Sequence, residues 1–267
     1  MRINNDNDLR KYIPNALVTV TGEQSLFDKI RVELEISDSW FERTFGMEAY
    51  PDTVTEQMND MACKIVASDA FLRAIPSLDL VLTPNGFGVV SNSTIAPASK
   101  ERVERLVESL EISRDFAIEE LLHDLMLSDV WKDSEQGGFF LTTLFQTPMS
   151  LPYELRHNKA WDNWLKYRTQ LILTEQELAE KYISAEVYAQ LRGDINNPDY
   201  ACIVKPLQSI ELHLLQGNPL PYKFLISLVD IIRKDEETFP GWQTSKTAEL
   251  YQSHSFNNTK ESAGYWW

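Results

Sequence analysis

The chain has 267 residues, of which 43% are hydrophobic and 24% charged, with a formal net charge of −15. That length admits one large domain or two small ones, and the apolar share supports a core, which excludes global disorder. The acidic balance excludes wrapping of duplex DNA and adhesion to an anionic membrane, because both need clustered Lys and Arg. An acidic surface also simply keeps a protein soluble. The most apolar stretch, residues 224–232, is interrupted by Ser227 and Asp230, far short of the roughly 20 apolar residues of a membrane span. The first residues carry no signal-peptide core, so a cytosolic product is expected. Cys63 and Cys202 lie far apart among apolar neighbours and read as buried free thiols.

In chain order, residues 9–20 carry Pro14 and the β-branched run Val18-Thr19-Val20, which predicts an extended approach. Thr21 and Gln24 have capping-box spacing. A helix should follow with Phe27, Ile30, Leu34 and Phe41 on one face, ending near Thr44 where Gly46 can take the C′ position. Pro51 should open a second helix, with Val54, Met58, Met61, Ile65 and Leu72 as its stripe and Pro76 as its end. Residues 78–92 read as a β-hairpin: Leu80-Val81-Leu82, a turn at Thr83-Pro84-Asn85-Gly86, then Phe87-Gly88-Val89-Val90. Residues 95–98 form a linker.

Ser99 should cap a long helical stretch. Val103, Leu106, Val107 and Leu110 form its first face, and Phe116, Ile118, Leu121, Leu122 and Leu125 its second after a break near Ser113. It should end around Trp131, before a polar loop at 132–138. Residues 139–145 then read as a strand or extended docking segment, and 146–158 as irregular. Asn158 could cap a helix carrying Trp161, Trp164, Leu165, Leu171 and Leu178. Pro206 suits the first position of another helix, and a last helix spans about 221–237. The expected class is mainly α: a helical bundle with a small β-hairpin. Its domains would be 1–135, containing the hairpin, and 136–240, with 241–267 as a tail.

A shift of 137 residues places Phe27 on Trp164, Leu34 on Leu171 and Phe45 on Tyr182, and one more places Tyr50 on Tyr188. Such a repeat would be a duplicated helical unit, which suits a quasi-symmetric assembly surface. The alternative is chance similarity between amphipathic helices.

Recognisable catalytic, cofactor or metal signatures are missing from the sequence. His123-Asp124 are helical neighbours about 100° apart and cannot form a dyad alone. Glu120 and His123 share a face, but a carboxylate-bridged metal pair needs a second Glu-x-x-His, and Glu211-Leu212-His213 has the wrong spacing. Asn85-Gly86-Phe87-Gly88 lacks the third glycine and the following helix of a phosphate cradle and reads as a turn. The expectation is a non-enzyme without cofactor; an enzyme with a site assembled from dispersed residues is the rival from another class. Aromatics stand out instead: the chain has 7 Trp and closes on Tyr265-Trp266-Trp267. Terminal residues fray unless held, so this end should dock on its own domain or on a neighbouring subunit. Phe87, Val89, Phe139, Phe140, Tyr265, Trp266 and Trp267 are the candidate interface residues.

Residues 80–92 (Leu80-Val81-Leu82-Thr83-Pro84-Asn85-Gly86-Phe87-Gly88-Val89-Val90-Ser91-Asn92), followed by Ala96-Pro97-Ala98-Ser99-Lys100-Glu101-Arg102-Val103, resemble an uncharacterised family from phages and prophages of Bacteroidetes. Its members look like products of virion structural gene clusters. The likeness covers residues 9–130 best. The helix–hairpin–long-helix layout is also similar to head–tail connector (adaptor) proteins of tailed phages. That resemblance implies a homo-oligomeric ring, contacts with portal and tail proteins, a place in the virion after synthesis in the bacterial cytoplasm, and no catalytic residues. It implies no membrane and no specific nucleic-acid binding, although DNA would pass through the lumen. Another assembly or tail-completion protein is the runner-up.

Overall fold

The computed structural model describes residues 1–13, 24–78, 80–83, 86–89 and 99–251, with backbone alone for 80–83 and 86–89. The protein is mainly helical. It divides into two compact units, Met1–Thr169 and Gln170–Trp267.

In the first unit, α1 (Asp6–Tyr12) starts on Asn5, whose side chain accepts from the Asp8 backbone N–H. Asp6 and Asp8 lie in its first turn and Arg10 and Lys11 in its last, which complements the helix dipole. Residues 9–12 are thus helical rather than extended. Only at Ile13 does the backbone become extended (φ −96°, ψ 117°), as expected for a residue preceding proline. Pro14, the Val18-to-Val20 run and the Thr21 cap lie outside the described residues. Ser25 caps α2 (Leu26–Lys29) by accepting from the Asp28 N–H, and α3 (Arg31–Phe45) follows after Ile30. Gly46 closes α3 in the left-handed conformation (φ 65°), its N–H bonded to the Glu42 carbonyl. Arg2 ties the chain start to α3 through Asp38 at 2.8 Å and Glu42 at 2.7 Å.

Pro51 starts a short 3-10 turn, Pro51–Thr53, not the next helix. α4 (Glu56–Leu78) begins later, where the Thr55 hydroxyl accepts from the Met58 N–H. Pro76 lies inside α4, which runs on to Leu78. A proline so near the C-terminal end removes a single helical hydrogen bond, so the turn survives. β1 (Leu80–Thr83) and β2 (Gly86–Val89) pair antiparallel, from Leu80↔Val89 to Thr83↔Gly86. Residues 84, 85 and 90–98 lie outside the description.

α5 (Lys100–Leu125) is continuous, without a break at Ser113. It stops at Leu125, and Trp131 belongs instead to the short α6 (Asp129–Lys132). Phe116, expected on its apolar face, is exposed. The polar 132–138 segment is not a loop: Ser134 caps α7 (Glu135–Phe140). Gly137 is required there, because a Cβ would lie 2.1 Å from the Trp131 carbonyl oxygen. Residues 139–145 are therefore a helix end and turns, not a strand. A 3-10 turn at Pro148–Ser150 and α8 (Tyr153–Arg156) lead to α9 (Ala160–Leu178). Asn158 donates to the Glu108 carboxylate. Residues 136–169, which the sequence assigned to a second domain, lie in the first unit.

The heart of this unit is aromatic. Phe140 is fully buried and stacks on Phe45 (centroids 5.8 Å apart) and on Trp164 (5.5 Å). Trp131 donates from Nε1 to the Phe45 carbonyl at 2.7 Å, and Trp164 to the Phe145 carbonyl at 2.6 Å. Both indoles thus bury their rings without stranding a donor.

In the second unit, the chain continues from α9 through a π turn, Ala179–Ile183, into α10 (Ala185–Gly193). Ser184 takes φ 85° there and caps α10 from its hydroxyl. α11 (Ala201–Leu215) begins five residues before Pro206, which sits inside it. α12 (Tyr222–Lys234), α13 (Pro240–Gln243) and α14 (Lys246–Glu249) complete the described part. Residues 241–251 are not a free tail. Trp242, Thr247 and Ala248 are buried, and Thr247 Oγ1 donates to the Ala179 carbonyl at 2.8 Å. The two stretches aligned as a repeat differ in build. α3 leads through 3-10 turns into the long α4, while α9 leads through a π turn into the nine-residue α10. Cys63 stands well inside α4, whereas Cys202 is the second residue of α11 and exposed.

Replacing Phe140 with Ala should destabilise the first unit by about 3–5 kcal/mol, the usual cost of removing a buried aromatic ring. Urea unfolding followed by tryptophan emission measures it; a loss below about 1 kcal/mol would mean the cluster closes over the gap.

Candidate functional site

The longest helices, α4 and α5, pack along one another and carry the features that could serve a partner. They are fixed by a buried ion cluster. Arg114 on α5 lies 3.0 Å from Asp115, 3.6 Å from Asp69 on α4 and 3.6 Å from Asp162 on α9. Ser37 on α3 donates to Asp69 at 2.7 Å, and Arg73 reaches the same carboxylate at 2.7 Å. Asp115 also accepts from the Trp161 backbone N–H at 3.1 Å, at the start of α9. Lys159 and Glu111 pair beside it at 2.9 Å. Burial pushes the Asp115 carboxyl above its ordinary value against the pull of Arg114. Burial alone would lower the Arg114 guanidinium, and the surrounding aspartates outweigh it and raise it. Four helices are thereby locked in one register.

One end of the α4–α5 pair carries the β1–β2 strands. The first ten residues of α5 leading from them, 100–109, include none that is buried, so this part of the helix stands clear of the core. Beside it, Val103 and Val107 with Glu104, Glu108, His157 and Asn158 line a cleft of about 580 Å³.

The other end opens into a groove of about 1200 Å³ whose walls include Tyr12, Met58, Cys63, Leu127 and the carboxylates Glu56, Asp60 and Asp124. Tyr12 donates to Asp60 at 2.7 Å, and Cys63 Sγ lies 3.7 Å from the Arg2 carbonyl. Burial raises both the Tyr12 phenol and the Cys63 thiol. A thiol held protonated is a poor nucleophile. Leu127, at its rim, is 74% exposed.

Among the sequence-predicted interface residues, Phe140 is fully buried in the aromatic core and Phe139 lies beneath the Arg168 guanidinium, 3.8 Å from its ring centroid. Arg168 also donates to the Phe139 carbonyl at 2.7 Å. Phe140 is thus enclosed in the core and not at a surface, while Phe139 is half-buried. Phe87 and Val89 are in β2, with side chains outside the description, as are Tyr265, Trp266 and Trp267 altogether. His123 and Glu120 are exposed on α5, and Asp124 faces the groove. Among the described residues, no three His, Cys, Asp or Glu side chains gather as metal ligands would, and no helix is long and apolar enough to cross a membrane. The ion cluster carried no sequence signal beyond Ser113-Arg114-Asp115 itself, a polar run that reads as surface.

Residues 13–140, just under half of the chain, are similar to a family of unknown function (DUF6712). The matched span runs from the end of α1 to the last residue of α7 and takes in both strands. No curated protein and no solved structure matches the chain.

Replacing Arg114 with Leu should destabilise the first unit by about 3–5 kcal/mol, since it leaves buried aspartates without their cation. Adding Asp115→Asn to that variant should recover part of the loss. Equal stability of the single and double variants in urea would show that Asp115 does not depend on Arg114.

Proposed function

We propose that this protein is a structural component of a phage virion, a head–tail connector or adaptor that assembles as a ring between portal and tail. The observation that carries the reading is the β-tipped helical pair. Each of the two strands has one strand neighbour among the described residues, so each offers an outer edge of backbone donors and acceptors. A free edge is a ready template for strand addition by a neighbouring subunit. The long helices behind it are held in register by the Arg114 cluster, which suits an arm that must present its tip at a fixed place. Heterologous contacts of this kind close into a ring when the rotation between subunits closes.

The chemistry of the large groove supports a non-enzymatic role, because its thiol and phenol are held in their protonated forms. The net charge of −15 suits a lumen wall that DNA passes without adhering, by repulsion that fades over about 8 Å at physiological salt. A tail-completion or other assembly factor is the second reading, favoured by the groove's carboxylates and exposed Leu127, which suit docking on a partner.

Negative-stain images of the purified protein, alone and mixed with a portal, test the proposal. Rings are expected, and a Gly-Ser linker in place of residues 79–90 should abolish them while leaving the helical circular dichroism nearly unchanged. A monomer that ignores the portal in both forms would overturn the connector reading.

A further inference from the structure

In the second unit, α12 exposes apolar residues that nothing in that unit covers. Leu225, Leu228, Val229 and Ile232 form its buried side, while Phe224 is 48% and Ile231 43% exposed. Phe224 and Ile231 stand two helical turns apart and form one row. Lys223 and Lys234 form a second row beside it, with Ser227 between the rows. Asp230 pairs with Arg233 at 3.5 Å, and Lys223 and Lys234 have no ion-pair partner among the described residues. An apolar row flanked by free cations is unusual in a chain of net charge −15.

The first unit carries the complementary pattern. Val103 and Val107 line the cleft beside the start of α5, together with Glu104 and Glu108. Both valines are half-buried and both glutamates exposed. Glu104 lies 3.7 Å from the exposed Lys100, a kind of surface pair that is worth little and exchanges readily. Glu108 accepts from Asn158.

The order of the rows decides how the two surfaces meet. At about 100° per residue, the lysine row lies about 80° to one side of the Phe224–Ile231 row, and the glutamate row about 100° to the other side of the Val103–Val107 row. Rows of opposite sense coincide when two helices lie side by side in parallel. Apolar rows then meet each other, and lysines meet glutamates. Asp235, Glu236 and Glu237, which follow α12, then fall toward the end of the cleft where Lys159 pairs with Glu111.

We propose that α12 of one copy docks parallel to the start of α5 of a second copy, in the Val103–Val107 cleft, with Lys223 and Lys234 against Glu104 and Glu108. The two surfaces differ, so the contact is heterologous and repeats from copy to copy. It rests on the ring reading above and gives that ring a subunit contact separate from its strand edges. The apolar rows supply the affinity, and the charged rows set orientation and exclude mismatched pairings.

The test uses the full chain with two charge reversals, K223E/K234E on α12 and E104K/E108K on α5, followed by sedimentation velocity. The wild type should form oligomers. Each variant alone should associate about tenfold more weakly or worse, because like charges then face each other. An equimolar mixture of the two variants should regain the oligomers, because every row of lysines again meets a row of glutamates. Recovery on mixing requires a contact between copies, whereas a contact within one chain would need both reversals in the same molecule. A monomeric wild type, variants that assemble as the wild type does, or a mixture that stays dissociated would each overturn the proposal. Portal-bound rings that persist in both variants would overturn it and leave the connector reading standing. If a variant loses its helical circular dichroism, carbodiimide cross-linking of the wild type decides, with light and nitrogen-isotope-labelled chains mixed. An amide bond between Lys223 and Glu104 that joins a light chain to a labelled one supports the contact; its absence, or bonds within single chains alone, refutes it.

Discussion

Arg114 is the interaction on which the first unit depends. It sits near the middle of α5, 6% exposed, and reaches carboxylates on α4, α5 and α9, while Ser37 brings α3 onto the same Asp69. Apolar faces alone allow helices to slide by a turn, since one ridge-and-groove match resembles the next. A buried guanidinium with named partners does not allow this, because a slip would strand several charges at once. The stabilisation from such a cluster is small compared with an apolar replacement, but its selectivity for one register is large. That selectivity fixes where the β tip and the Tyr12–Asp60 groove fall at opposite ends of the α4–α5 pair.

The aromatic cluster complements this constraint. Phe45 closes α3, Phe140 closes α7, and Trp161 and Trp164 open α9, so three element ends meet through rings. Each ring is large and has few rotamers, so burying it orders a helix end at modest entropic cost. The indole donors of Trp131 and Trp164 then satisfy the carbonyls of Phe45, the last residue of α3, and of Phe145, in the turns that follow α7. The short α6, α7 and α8 depend on this scaffold, since helices of four to six residues are not stable by themselves.

What the sequence made legible follows from this division. Apolar stripes with a single environment were readable: Ile30 at the start of α3 with Leu34 and Phe41 on it, Met58, Met61 and Ile65 on α4, and the Gly46 stop. Errors arose where a local signal had two meanings. Ser113-Arg114-Asp115 looks like a polar interruption, yet Arg114 and Asp115 are core residues because they satisfy one another. Proline at 76 and 206 looks like a boundary, yet a helix whose packing is secure tolerates the loss of one hydrogen bond. Residues 139–145 have the composition of a strand, and only the Ser134 cap with the close approach at Gly137 makes their beginning helical. Phe140 accordingly belongs to the core and not to a surface. Hydrophobic periodicity treats every charged residue as a surface residue, so neither buried ion cluster could be read from it.

Each unit encloses a polar cluster among its described residues. In the first unit, Asp69, Asp115, Asp162 and Glu111 face Arg73, Arg114 and Lys159, and Asp162 is half-exposed, so water takes up the remaining charge. In the second unit, the buried Glu175 lies 3.1 Å from Arg192, and the buried Glu211 accepts from Tyr188 at 3.0 Å. In both places a buried carboxylate accepts from a neighbouring helix, Asp115 from the Trp161 backbone N–H and Glu211 from the Tyr188 hydroxyl, so each cluster ties helix packing to specific polar contacts.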